Sequence, residues 1–71
     1  MTLTYYLNKI AKKQGVRVGV VREQLIVKVD RSLATLYGWE VGRKMPQVGE
    51  LQKLHKFLKD EGFDINVLDL F

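Results

Sequence analysis

Hydrophobic residues recur at every third or fourth position along the first part of the chain, a spacing that places them on one face of an α-helix. Thr2 can cap such a helix, because its hydroxyl can accept a hydrogen bond from a free N–H of the first turn. Gly15 is a natural stop after the last periodic residue. A first amphipathic helix is therefore predicted between these two residues, and its apolar stripe consists of Leu3, Tyr6, Leu7, Ile10 and Ala11.

The C-terminal half predicts three more helices. One runs from Ser32, a suitable N-cap, to about Val41. The next covers Val48 to Lys59, and Asp64 can cap a short last helix. The inward-facing residues of the first are Leu36 and Trp39. The second has Leu51, Leu54, Phe57 and Leu58 at helical spacing, and the last carries Val67, Leu68 and Phe71.

The segment from Val16 to Val29 is compatible with two structures. Its valines alternate with other residues as they would in a strand, but a hairpin would need a turn near Arg22–Gln24, where no residue favours positive φ. As a helix, the segment places four residues on one face, Val21, Leu25, Ile26 and Val29, and packing can override the modest helix penalty of β-branched residues. We predict a helix from Val21 to Val29, with a strand as the alternative.

These elements predict a compact all-α bundle of about five short helices in a single domain, residues 1–71, because a chain this short builds one thin core. The chain has no cysteine and one histidine, which rules out disulfides and leaves too few ligands for a structural zinc site. It has no run of about 18 apolar residues and no signal-peptide pattern. We therefore expect a soluble, cytoplasmic protein without a metal or other cofactor.

Charge is distributed unevenly along the chain. The net charge is +4, but residues 1–49 carry nine basic and three acidic side chains, whereas residues 50–71 carry three basic and five acidic ones. A basic body with an acidic C-terminal segment favours a polyanionic partner on one face only. Glu40, one of the few acids of the basic body, is expected to pair with Lys12 or Lys13 or to remain solvated.

The segment from Ser32 to Pro46 has the pattern of a recognition helix and the loop that follows it. Two short helices joined by a three- or four-residue turn form a helix-turn-helix, whose second helix enters the DNA major groove. The sequence Ser-Leu-Ala-Thr-Leu-Tyr-Gly-Trp-Glu-Val-Gly-Arg-Lys-Met-Pro resembles the phage Cro/cI repressor family, which often shows Ser-x-x-Thr-(Ile/Leu)-x-x-(Trp/Leu)-Glu-x-Gly-x-x-x-Pro. The resemblance extends over nearly the whole chain, although Ile26 stands where the family usually has Ala.

The resemblance implies a small, repressor-like transcriptional regulator that binds double-stranded DNA in a sequence-dependent way, with residues 32–41 as the recognition helix. Basic residues at the start of the second helix and in the loop after the third are expected to contact phosphates. The side chains that read bases bidentately are absent from residues 32–41, so readout would depend on hydroxyls and on apolar contact with thymine methyl groups. The expected DNA-contacting residues are Arg22, Arg31, Ser32, Leu33, Ala34, Thr35, Tyr37, Gly38, Arg43 and Lys44.

A homodimer is expected, because a domain of this size covers only one half-site of a palindrome. The segment after Gly62 is apolar and net acidic, which favours a position away from DNA, where a second subunit could dock. The expected dimer contacts are Phe63, Ile65, Leu68 and Phe71.

A second class of function stays open, namely a helix-turn-helix fold that serves as a protein-interaction module, either an antirepressor or an adaptor. The lack of polar readout residues on the third helix favours it, whereas the basic body favours DNA. The chain has no Ser-His-Asp set and no Gly-rich phosphate loop, so we expect no enzymatic activity. Neither a small-molecule ligand nor a membrane is expected as a partner.

Overall fold

Four α-helices and a short 3₁₀ helix make up the fold in the computed structural model, which describes residues 2–71. The α-helices are α1 (Leu3–Gln14), α2 (Val18–Val29), α3 (Leu33–Glu40) and α4 (Val48–Asp60). Helix α2 is central, since it packs against α1, α3 and α4. The all-α class predicted from the sequence is confirmed, with four α-helices rather than about five in the described residues.

The ends of α1 are those that the sequence predicts. The hydroxyl of Thr2 accepts a hydrogen bond from the Tyr5 N–H at 3.2 Å. At the other end, Gly15 adopts the left-handed conformation (φ 71°), and the Val16 N–H donates to the Ala11 carbonyl at 3.0 Å. A left-handed glycine followed by this long-range bond satisfies the last free carbonyls of a helix.

The strand alternative for the valine-rich segment is wrong, and the predicted start of the helix is three residues late. Helix α2 begins at Val18, because Val18 packs against the core one turn before Val21. Val16 belongs to the end of α1 through its bond to Ala11, and Val20 lies on the exposed side of α2. The alternation of valines therefore reflects a helix cap followed by a helix, not a strand.

A three-residue turn, Asp30–Ser32, connects α2 to α3. Asp30 is the non-glycine residue of the described chain with positive φ (56°), and its N–H donates to the Ile26 carbonyl. Ser32 caps α3 as predicted, since its hydroxyl accepts from the Thr35 N–H at 3.2 Å. The turn thus ends one helix and starts the next with few residues, which holds α2 and α3 close together.

The last predicted element forms as a 3₁₀ helix, Val67–Leu70. Asp64 does not cap it; Asn66 does, because its side-chain oxygen accepts from the Leu68 N–H at 3.2 Å. Asp64 instead lies 3.2 Å from the ring of His55. Phe71, predicted within this helix, follows its end.

The core lies between the three longer helices and α3. Trp39 and Leu36 are buried as predicted and connect α3 to this core. The other buried apolar residues are Leu3, Leu7, Ile10, Ala11, Val21, Leu25, Val29, Leu54, Phe57, Leu58 and Val67. A single shared core of this kind holds α3 in place although the helix has only eight residues.

Candidate nucleic-acid interface

Helix α3 presents an apolar face to solvent. Successive residues of a helix are rotated by about 100°, so four residues fall within one arc of about 100°: Leu33, Ala34, Tyr37 and Val41. The buried Trp39 lies opposite this arc, and the buried Leu36 lies outside it. Leu33 is 38% exposed, Tyr37 46% and Val41 70%, and Ala34 is exposed as well. We call these four residues the α3 face. Three of them were predicted as DNA contacts, whereas Val41 was missed because it was assigned to the helix end.

Of the three hydroxyl residues predicted for readout, Ser32, Thr35 and Tyr37, the first two are engaged with the helix itself. Ser32 and Thr35 lie 3.1 Å apart through their side-chain oxygens, and the Ser32 oxygen also accepts from the Thr35 backbone. Their hydrogen-bonding capacity is used in part for capping. The polar readout expected from these residues is therefore reduced, and the surface that α3 offers is mainly apolar.

Arg22 does not lie at the start of α2, because the helix begins at Val18; it lies in the second turn. Its guanidinium is paired with Glu40 of α3, with both donor nitrogens 3.0 Å from carboxylate oxygens. Thr4 of α1 donates to the same carboxylate at 2.9 Å. Glu40 is thus neither solvated nor paired with a lysine, and the side chain of Glu40 is only 4% exposed.

The same guanidinium also contacts the α3 face. Its central carbon lies 5.2 Å from the centre of the Tyr37 ring, within the range of a cation–π interaction. The hydrogen bonds that Arg22 donates to Glu40 raise the pKa of Arg22 above its ordinary value, so Arg22 stays charged. Arg22 therefore joins a buried carboxylate to an exposed aromatic ring, and it places one positive charge at the edge of the α3 face.

Lys44 reaches α3 from the loop that follows it. The N–H groups of Arg43 and Lys44 donate to the Gly38 carbonyl at 2.9 and 3.1 Å, which folds the loop back over the helix. A Cβ atom at Gly38 would lie 3.1 Å from two methylene carbons of Lys44. The missing side chain of Gly38 thus makes room for the stem of Lys44, while both basic residues remain exposed.

Arg31 is paired with Glu50 of α4, although its side chain is still about half exposed. The Gln47 N–H donates to the other oxygen of this carboxylate at 2.8 Å. The Gln47 hydrogen bond, together with Arg31, holds the pKa of Glu50 below its ordinary value. Arg31 therefore has a structural partner in the described chain besides any role at a phosphate.

The predicted dimer contacts divide into two kinds. Phe63 lies 5.5 Å from the Tyr6 ring centre in an edge-on arrangement, and Phe71 is packed against the core. Leu68 is exposed and lines an apolar groove with Ile65, Val48 and Leu51. The phenylalanines thus serve mainly the fold, and the groove around Leu68 is the part of the C-terminal segment that is open to a partner.

Sequence reasoning also missed Arg17. It is the N-cap residue of α2 and is exposed, so it places a charge where the free N–H groups of the helix already favour an anion. The later start predicted for α2 hid this position.

Within residues 2–71, no group of three or more His, Cys, Asp or Glu side chains could hold a metal ion, and no helix is long and apolar enough to cross a membrane.

Comparison of the chain with protein-family models, with curated proteins and with solved structures finds no match. The candidate interface consists of a short helix with an apolar outward face and charged side chains at its edges.

Proposed function

We propose that this chain binds duplex DNA and regulates transcription, with α2 and α3 acting as a helix-turn-helix and α3 as the recognition helix. The resemblance to the phage Cro/cI repressors suggests a repressor-like, non-enzymatic role, which would be exerted in the cytoplasm. The exposure of Leu33, Tyr37 and Val41 supports this proposal, because it shows that one side of α3 is free of protein.

The observation that carries the proposal is the position of two cations on opposite edges of the α3 face. Arg22 contacts α3 at Glu40 and Tyr37, and Lys44 contacts it at Gly38. On a helical wheel Glu40 and Gly38 lie on either side of the arc that contains the α3 face, and Tyr37 lies within it. A helix inserted in the major groove has a phosphate strand on each side, so charges at both edges match that geometry.

Two further exposed arginines extend the basic surface. Arg17 lies at the start of α2, and Arg43 lies in the loop after α3, where Gly42 adopts positive φ (77°). Phosphate contacts from the start of α2 and from this loop would position α3 without reading the sequence. We propose that two copies bind together on a palindromic site through the groove around Leu68.

The test is a titration of random-sequence duplex DNA over a range of salt concentrations, with the chain at fixed concentration. We expect binding at low salt, and log affinity should fall linearly with log salt at about −0.9 per phosphate contact. Three contacts per subunit, from Arg17, Arg43 and Lys44, would give a slope of about −3; Arg22 is not counted because its charge is already matched by Glu40. Absence of binding at low salt, or a flat salt dependence, would contradict the proposal.

The second candidate function is a protein-interaction module, an antirepressor or adaptor. The apolar character of the α3 face favours it, since contiguous exposed apolar surface often marks protein–protein contact. The salt dependence of binding distinguishes the two functions. Phosphate binding depends strongly on counterion release, whereas association through an apolar protein interface depends on it much less.

A further inference from the structure

We propose that the α3 face recognises thymine in the major groove through the C5-methyl group, so that the preferred half-site is rich in A·T pairs. This inference rests on the proposed DNA-binding function and specifies which bases are read. It follows from what α3 presents to solvent, which is aliphatic and aromatic carbon in place of bidentate donors and acceptors.

The choice of base follows from the chemistry of the major groove. Guanine is read there by Arg or Lys, and adenine by Asn or Gln, whereas the thymine methyl group is the apolar feature of the groove. None of those four side chains lies on Leu33–Glu40. Leu33, Ala34 and Val41 can make only apolar contacts, and the two nearby hydroxyls of Ser32 and Thr35 bond to each other.

Tyr37 is the residue that makes this face rigid enough to discriminate. Arg22 lies against its ring, and Arg22 is itself held by the buried Glu40. The ring is therefore constrained before DNA binds, which lowers the entropy that binding would cost. A constrained ring beside Leu33 offers a fixed apolar surface on which a methyl group can be buried.

A competing occupant of the α3 face is an apolar surface of another protein. The surrounding charges favour DNA: Lys44 covers α3 at Gly38 and the exposed Arg43 precedes it in the same loop, whereas Glu40, the one acidic residue of the helix, is buried and its charge is matched by Arg22. An apolar strip bordered by positive charge matches methyl groups bordered by phosphates.

The experiment compares two duplexes that differ only in that methyl group. A duplex is first selected from a randomised thymine-containing pool, and the selected sequence is then synthesised with deoxyuridine in place of thymidine. Burial of one CH₂-sized group is worth a factor of about four in affinity. We expect uracil substitution to weaken binding more than about tenfold if two methyl groups are contacted, with the salt slope unchanged.

Two variants test whether the loss of affinity on uracil substitution comes from the α3 face. Leu33→Ala should reduce the thymine-to-uracil affinity ratio, because the variant loses the surface that the methyl group contacts. Val27→Ala is the matched control, since Val27 is an exposed aliphatic residue of α2 outside the face; it should leave the ratio unchanged. Comparing variant and base together as a double-mutant cycle removes any effect of uracil on DNA shape.

The possible outcomes distinguish methyl recognition from DNA binding itself. Methyl recognition is supported if the thymine-to-uracil affinity ratio decreases in Leu33→Ala and is unchanged in Val27→Ala. Equal affinity for both duplexes, with a steep salt dependence retained, overturns methyl recognition and leaves DNA binding in place. Failure of any duplex to bind at low salt overturns both and leaves the protein-interaction module as the candidate to test.

Discussion

Glu40 and Arg22 form a two-point ion pair that ties α3 to α2, with both donor–acceptor distances at 3.0 Å. The pair is largely shielded from water, and Thr4 adds a third hydrogen bond from α1. Because the carboxylate lies inside and the guanidinium reaches the surface beside Tyr37, one contact serves both the packing of α3 and the exposed face of that helix.

Glu40→Ala should therefore destabilise the domain by about 3 kcal/mol, because removing one partner leaves the other charge partly buried without compensation. Chemical denaturation measures this free energy of unfolding. Replacing both residues, as Glu40→Leu with Arg22→Met, should restore most of the loss, since apolar pairs often substitute well for buried ion pairs. If the double variant is as unstable as the single one, the loss does not come from an unpaired charge.

Trp39→Ala should largely unfold the domain. Trp39 is almost completely buried, and truncation of a buried aromatic residue typically costs about 3–5 kcal/mol, much of what a small domain has. Circular dichroism and thermal melting report the result. Tyr37→Ala is the matched control, because Tyr37 is an exposed aromatic residue of the same helix and its truncation should cost far less. Native-like melting of Trp39→Ala would contradict the assigned packing of α3.

The elements with clear periodicity could be predicted from the sequence, including α1 with both caps and α4. The start of α2 could not. Val16, Val18 and Val20 alternate, but tertiary contacts decide their conformation: Val16 closes α1 through its bond to Ala11, and Val18 packs on the core. Local pattern does not contain that information.

The candidate site could be predicted in outline, because hydrophobic spacing separates the buried and the exposed sides of α3. The pairing of charges could not, since Arg22 and Glu40 are 18 positions apart and nothing in the sequence distinguishes Arg22 from the lysines of α1 as the partner. The role of Gly38 was equally hidden, because the stem of Lys44 that covers it comes from a loop without periodicity.

Acid should weaken the domain partly through Glu50. The pKa of this carboxyl is lowered in the folded state, chiefly by the Gln47 N–H and also by Arg31. A lowered folded-state pKa means that the stabilisation is present above the ordinary carboxyl range and is lost as pH falls through the lowered value. Glu50→Ala should thus lower the free energy of unfolding at neutral pH. Urea denaturation over a pH series should show wild type and variant converging in acid; a constant difference would exclude this linkage.

Arg43→Gln and Lys44→Gln should weaken binding to selected and random duplexes by similar factors, and each should reduce the salt slope by about one unit. Glutamine keeps the aliphatic stem, so the contact of Lys44 with Gly38 is preserved while the charge is lost. Lys59→Gln is the matched control, because it removes an exposed charge at the end of α4. A loss of affinity restricted to the selected duplex would assign base reading to the loop.

Leu68→Ser should weaken self-association without unfolding the subunit. Leu68 is 52% exposed and lines the apolar groove with Val48 and Ile65, so a polar side chain there interrupts the proposed contact but leaves the core intact. A stable interface buries about 800 Å² of accessible surface on each partner, a large share of the 4618 Å² of this chain. We therefore expect the contact to extend beyond Leu68 along α4 from Val48.

Light scattering over a concentration series, with and without a palindromic duplex, measures the effect of Leu68→Ser. We expect a dimer in the wild type and a shift toward monomer in the variant. Val27→Ser is the matched control, since Val27 is even more exposed, at 77%, and lies on α2 away from the groove; it should leave the dimer unchanged. A wild type that stays monomeric at high concentration, both free and on the palindrome, would rule out the homodimer, because the two half-sites would then be bound independently.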